Sequence, residues 1–204
     1  MTPHHDVPPP RIAPGGRDDI GLLNTVIVRV VGLVAGGPPP NVFTTLARHR
    51  RLFRRWLRFA GAMMPGGSIR RADTELLILR VAHNTDAPYE WAQHARIALS
   101  AGLTKADIER VHDGPDAPGW TPRQAMLLRA ADELHATYDV SDSTWAALET
   151  ELDERQRIEL CLLVGHYTML AMTLNALQVT PDPPPQALPK AVGALQRAIS
   201  RRRG

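Results

Sequence analysis

The sequence predicts an all-α protein, and three observations carry that expectation. Apolar residues recur at spacings of three and four along most of the chain. Ala, Leu and Arg are abundant while aromatics make up only 5%, a mixture that suits helices better than sheets. No segment alternates apolar and polar residues between hairpin turns.

Residues 1–17 are rich in Pro and Gly and are expected to form a disordered tail. A first helix is expected over Asp19 to Val34, with Asp18 and Asp19 at its positive end. It stops at "AGGPPPN". A second is expected from Val42 to Met63. Leu46, Phe53, Leu57 and Ala60 line one face, and Arg48, Arg51, Arg55 and Arg58 another. "PGGS" ends it, and a third covers Ile69 to His83. "NTDAP" is a short turn, with Asp86 placed to cap the next helix and Pro88 tolerated in its first turn. That helix ends at Ala101-Gly102.

Thr104 and Asp107 predict a short capped helix to Val111. Thr121, Pro122 and Gln124 combine cap, first-position proline and capping-box partner, so a helix runs from there to Thr137. Ser141 caps another short one. Glu154 to Gln178 reads as a long, mostly apolar helix. The domain is expected to be a single one over 18–180. It is followed by a Pro-rich linker and a basic helix or tail over 181–204, ending in Arg201, Arg202 and Arg203. The total is eight or so helices. A faint internal echo relates Glu75–His83 to Glu159–His166 and allows two related helical units about a pseudo-twofold.

Composition limits the function classes. At 44% hydrophobic residues the 204-residue chain can bury a core, and a net charge of +3 does not demand nucleic acid. The terminal "RRRG" is not a recognisable nucleic-acid motif. The lone Cys161 permits neither an intramolecular disulfide nor a CxxC redox pair, which suits a reducing compartment. The N-terminus lacks the apolar core of a signal peptide, and the apolar run Ile20–Ala35 carries Asn24 and Arg29 and is too short to span a bilayer. A soluble, cytoplasmic protein with no membrane partner is expected.

The chemistry-bearing residues cluster around "APYEWAQH". Glu90 and His94 stand four apart, so they share a helix face. Such a pair is either a proton relay or an ordinary surface pair worth a few tenths of a kcal/mol. Glu75 interrupts a helix that is otherwise apolar nearly all round. It is either a buried, paired carboxylate or a first-turn residue reaching solvent. The short turn folds the two helices back on each other, which can bring Glu75 or His83 toward Glu90 and His94. All four are ligand types, but the spacing matches no zinc or di-iron signature and includes no Glu-x-x-His pair, so no metal is expected.

Residues 70–111, "RRADTELLILRVAHNTDAPYEWAQHARIALSAGLTKADIERV", resemble the carboxymuconolactone decarboxylase family, which includes the alkyl hydroperoxidase D-like proteins. The likeness rests on an R-x-x-x-E-L-x-I-L-R-V-type helix, a short turn, an E-W-x-x-H segment and "AGLT" before an acidic short helix. "ERQRIELCLLVGHYTMLAMTLNAL" resembles the closing helix of longer bacterial members. The family core is expected over about 43–112.

The resemblance implies a multi-helix bundle of the alkyl hydroperoxidase D-like type, assembled as trimers or multiples of trimers. It also implies a site near the central turn, often at a subunit interface. In the peroxidase branch that site is a glutamate followed by C-x-x-C-x-x-x-H. Laid on this frame, Glu75 is the glutamate, Ala87 and Glu90 take the two cysteine positions, and His94 is the histidine. Peroxide reduction there needs a thiolate and a resolving thiol, and both are missing. Cys161 reads as a buried structural thiol.

The branch without the cysteine pair works without a cofactor, as a lyase. Glu90 and His94 would move the proton, with Glu75 tuning or orienting His94. A positive group would hold an acid substrate. Arg80, Arg96 or an arginine of the 48–58 face are the candidates, although most of these suit a solvated or salt-bridging face. Tyr89 would donate a hydrogen bond, His83 lies within reach of the site, and Trp91 would pack.

The expectation is a decarboxylase or isomerase acting on a small organic acid or lactone. The alternatives are a thiol-dependent antioxidant protein, disfavoured by the missing cysteines, and a non-catalytic helical binding or assembly protein.

Overall fold

The computed structural model describes residues 9–183. These form nine α-helices and one 3-10 turn, and no strand occurs among the described residues. The basic C-terminal segment expected over 181–204 lies almost wholly outside them. Packing divides the chain into two units, one running to Arg58 and resuming at Gln178, the other Phe59–Leu177.

In the first unit, α1 (Arg17–Ala35) kinks at Gly21, where φ is +78°, a conformation that favours glycine. The expected second helix is in fact two, α2 (Asn41–Leu46) and α3 (Arg50–Met63). The break lets Arg48 leave the arginine face. It donates to the Ala13 carbonyl and pairs with Asp19 at 2.9 Å. Periodicity alone runs straight through such a break. Ile20, Val28, Ala47 and Phe53 form the core here, with Phe43 and Trp56 against them. Gly15 N–H donates to Thr44, so residues just before α1 are tied to the fold.

The second unit is built on α4 (Arg71–Asn84), which is buried at Asp73–Leu79 and again at Val81–Ala82. It packs against α5 (Pro88–Ala101), α7 (Pro122–Thr137) and α9 (Glu154–Leu177). A helix surrounded on all sides has no polar stripe, which explains its continuous apolar sequence.

Between α5 and α7 lie α6 (Lys105–Arg110) and a 3-10 turn over Val111–Asp113. The capping boxes at Thr104/Asp107 and Thr121/Gln124 form as expected. Ser141 caps α8 (Asp142–Glu151). Gly102 ends α5 with φ +104°. α9 has the length and composition of a membrane span. Its Leu160, Leu163, Val164, Ala171 and Leu174 are buried in this unit, while Ile158, Leu162, Met169 and Met172 are exposed.

Candidate active site

The site is set by the hairpin between α4 and α5. Ala87 N–H donates to the Ala82 carbonyl, and Asn175 of α9 donates to the carbonyls of Thr85 and Asp86. Asp86 does not cap α5. Its φ is +48°, Ala87 holds the N-cap position without a side-chain bond, and Pro88 follows in the first turn. Asp86 supplies the left-handed step of the turn, which Asp tolerates better than most residues. Small residues Ala82, Ala87 and Ala171 let the two helix ends and α9 approach closely.

Two of the alternatives left open by the sequence are resolved. Glu75 is 0% exposed and lies past the first turn of α4, so it does not reach solvent. Glu90 and His94 are 2% and 7% exposed, so they are no surface pair. His94 Nδ1 lies 2.7 Å from Glu75 Oε2. A carboxylate can only accept, so the ring proton sits on Nδ1 and Nε2 is left to take a proton.

Arg71, one turn before Glu75, places Nη2 2.8 Å from Oε1. The approach is outside hydrogen-bond geometry, so Oε1 keeps its lone pairs while the guanidinium balances its charge. Arg71 is not among the residues singled out from the sequence, although its i, i+4 spacing to Glu75 is the signal that finds it.

Glu90 is different. Neither of its oxygens has a hydrogen-bond partner, and both are fully enclosed. Burial pushes its carboxyl up to about 8, so it holds its proton at neutral pH. The position that carries a thiol in the peroxidase frame thus holds a neutral carboxylic acid.

Tyr167 and His166 of α9 complete the group. The Tyr167 ring stands edge-on to His94, centroids 5.1 Å apart, and edge-on to His166 at 5.2 Å. Burial, and after it the nearby Glu75 carboxylate, raises the phenol, which stays protonated. Its hydroxyl donates to Met64 Sδ at 3.5 Å, a weak acceptor. Burial lowers His166 to about 4, so its ring is neutral. No local spacing points to Tyr167 or His166, because they reach the site through the packing of α9.

The other candidates lie elsewhere in their contacts. Arg80 makes two bonds to Asp132, at 2.6 and 2.9 Å, and one to the Val111 carbonyl. His83 Nδ1 lies 3.1 Å from His112 Nδ1, and Trp91 packs on the His112 ring. Arg96 donates to Gln93 on the exposed side of α5. Tyr89 is buried. Cys161 is half-buried, and burial raises its thiol above the usual range, which disfavours the thiolate. Among the described residues no group of three or more His, Cys, Asp or Glu is arranged to hold a metal ion.

Glu75, Glu90 and His94 therefore form one buried acid–base group on two helices of a single hairpin. Residues 50–133 match the model of the carboxymuconolactone decarboxylase family. The matched segment contains Arg71, Glu75, Glu90 and His94, while α9 with Tyr167 lies beyond it. No curated protein matches the chain.

Two solved structures show the same fold as the segment and its surroundings. One is the alkylhydroperoxidase AhpD core of an uncharacterized peroxidase-related protein from Ralstonia eutropha, 19% identical, covering 81% of this chain and 86% of that one at a TM-score of 0.67. The other is an uncharacterized peroxidase-related protein from a Silicibacter species, 14% identical, covering 92% and 98% at a TM-score of 0.71. At such identities the likeness establishes the fold alone: an all-α, AhpD-core-like arrangement.

Proposed function

We propose that this protein is a cofactor-independent acid–base enzyme, a decarboxylase or isomerase of a small organic acid or lactone. The observation that supports it most is the enclosed Glu75–His94 contact beside a carboxyl that has no partner. A structural ion pair needs no second, unpaired acid next to it, and burying one costs stability. In this reading His94 Nε2 takes or returns the substrate proton, Glu75 fixes the ring, and the Arg71 guanidinium stands against Glu75. Glu90 supplies a neutral O–H. Peroxide chemistry of the thiol kind is not part of the proposal, since Ala87 and Glu90 stand where the two thiols would be.

A screen of small carbonyl acids and lactones for proton exchange, isomerisation or CO₂ release tests it. Turnover should fall at least about 100-fold in His94→Ala and in Glu75→Gln. Turnover untouched by either change would overturn the assignment.

Self-assembly is proposed as well, with a trimer as the favoured state. α1 turns Ile20, Asn24, Val28 and Gly32 inward, while Leu22, Val26, Val30 and Leu33 on its other side are each more than half exposed. A stripe of that kind on a 19-residue helix suits a second copy of the chain.

A further inference from the structure

We propose that Tyr167 and Glu90 act together as a pair of neutral donors that bind the oxygen of an enolate, so that the substrate is a carbonyl compound with an acidic C–H beside the carbonyl. This deepens the acid–base reading and rests on it. Both hydroxyl groups are buried, and neither has a strong acceptor. Glu90 has none at all, and Tyr167 has only the Met64 sulfur. Buried O–H groups without acceptors are costly, and an enolate oxygen satisfies both at once. Tyr167 also stands edge-on to the His94 ring, and Glu90 lies buried one turn before His94 on α5.

Neutral donors suit this task. They stabilise charge that develops during reaction and bring no counter-charge that would hold the ground state. A buried tyrosine beside a carboxylic acid kept protonated by apolar surroundings is the arrangement known from ketosteroid isomerase, a different protein.

The step balances without an oxidant or a metal. His94 Nε2 takes the proton from the α-carbon. The C–H electron pair becomes the C–C π bond, and the carbonyl π pair moves onto oxygen. Glu90 and Tyr167 donate to that oxygen and keep their protons. The imidazolium then returns the proton to the same carbon or, in a conjugated compound, to the γ-carbon, and the electron pairs move back.

Phenolates are stable mimics of an enolate and need no turnover, so 4-nitrophenol binding tests the pair directly. The bound ligand should show the phenolate absorbance band at pH 6. Tyr167→Phe and Glu90→Ala should each weaken binding by about tenfold or more, while nitrobenzene binding stays the same. Circular dichroism melts confirm that each variant is folded, and Glu90→Gln, which keeps a donor, should lose less than Glu90→Ala. Binding in the neutral phenol form, or equal affinity in all the variants, would overturn the proposal. Phenolate binding that depends on both residues, with no His94-dependent turnover in the screen, would uphold the donor pair and sink the acid–base reading alone.

Discussion

At the scale of single residues, Glu90 sets the pH behaviour. Unfolded, it releases its proton near 4.5. Folded, it holds the proton to about 8. Between those values the unfolded chain binds fewer protons, so Glu90 makes stability fall as pH rises, with no further loss above the folded value. Glu90→Gln removes this dependence. The variant should exceed the wild type at pH 9 by roughly 2–4 kcal/mol, with the gap closing toward pH 5. Urea unfolding at the two pH values measures it, and a gap of equal size at both would count against a neutral buried acid.

His166 works in the opposite sense. Its pKa is depressed from 6.5 to about 4, so its contribution is complete above the unfolded value and is lost as pH falls toward the folded one. The sequence revealed Glu75, Glu90 and His94 as ligand and proton-transfer types. It left their burial open, because exposure depends on neighbours that lie far away along the chain. Arg71 was within reach of a spacing rule. Tyr167 was not, since nothing local to α9 marks the one turn that meets His94.

At the scale of elements, the turn before α4 is held by one carboxylate of α9. Glu159 accepts from Ser68 N–H at 2.6 Å, Ser68 Oγ at 2.7 Å and Ile69 N–H at 3.3 Å. Gly67 lies so close that a Cβ there would meet the Glu159 carboxylate and the Met63 carbonyl. Gly67→Ala should therefore cost about 1–3 kcal/mol, and Glu159→Ala about 1–2 kcal/mol, measured by urea unfolding. Unchanged midpoints would show that α4 begins without this clamp.

The same residue clarifies the internal echo. Glu75 binds a histidine inside the helix layer, whereas Glu159 binds a turn, so the matching letters do different work. Element boundaries were legible where capping chemistry is local, as at Thr104 and Thr121. They were not legible at Ala47–His49, where tertiary contacts of Arg48 and Arg50 interrupt a continuous apolar period.

At the scale of the molecule, the all-α class followed from composition and period, because helices report themselves through local spacing. Assembly is the property the chain's outer surface bears on. A sedimentation mass of three chains, or a multiple of three, is expected. Val26→Glu with Val30→Glu should lower it by placing charge on the exposed α1 stripe. A one-chain mass for the wild type would contradict the proposed self-assembly.

The central claim is that a neutral Glu90 sits beside the Glu75–His94 pair, and infrared difference spectroscopy of wild type against Glu90→Gln tests it most directly. The protonated-carboxyl C=O band of Glu90 should be present at pH 7 and disappear as pH passes about 8. Its absence at pH 6 would show an ionised Glu90 and contradict the account.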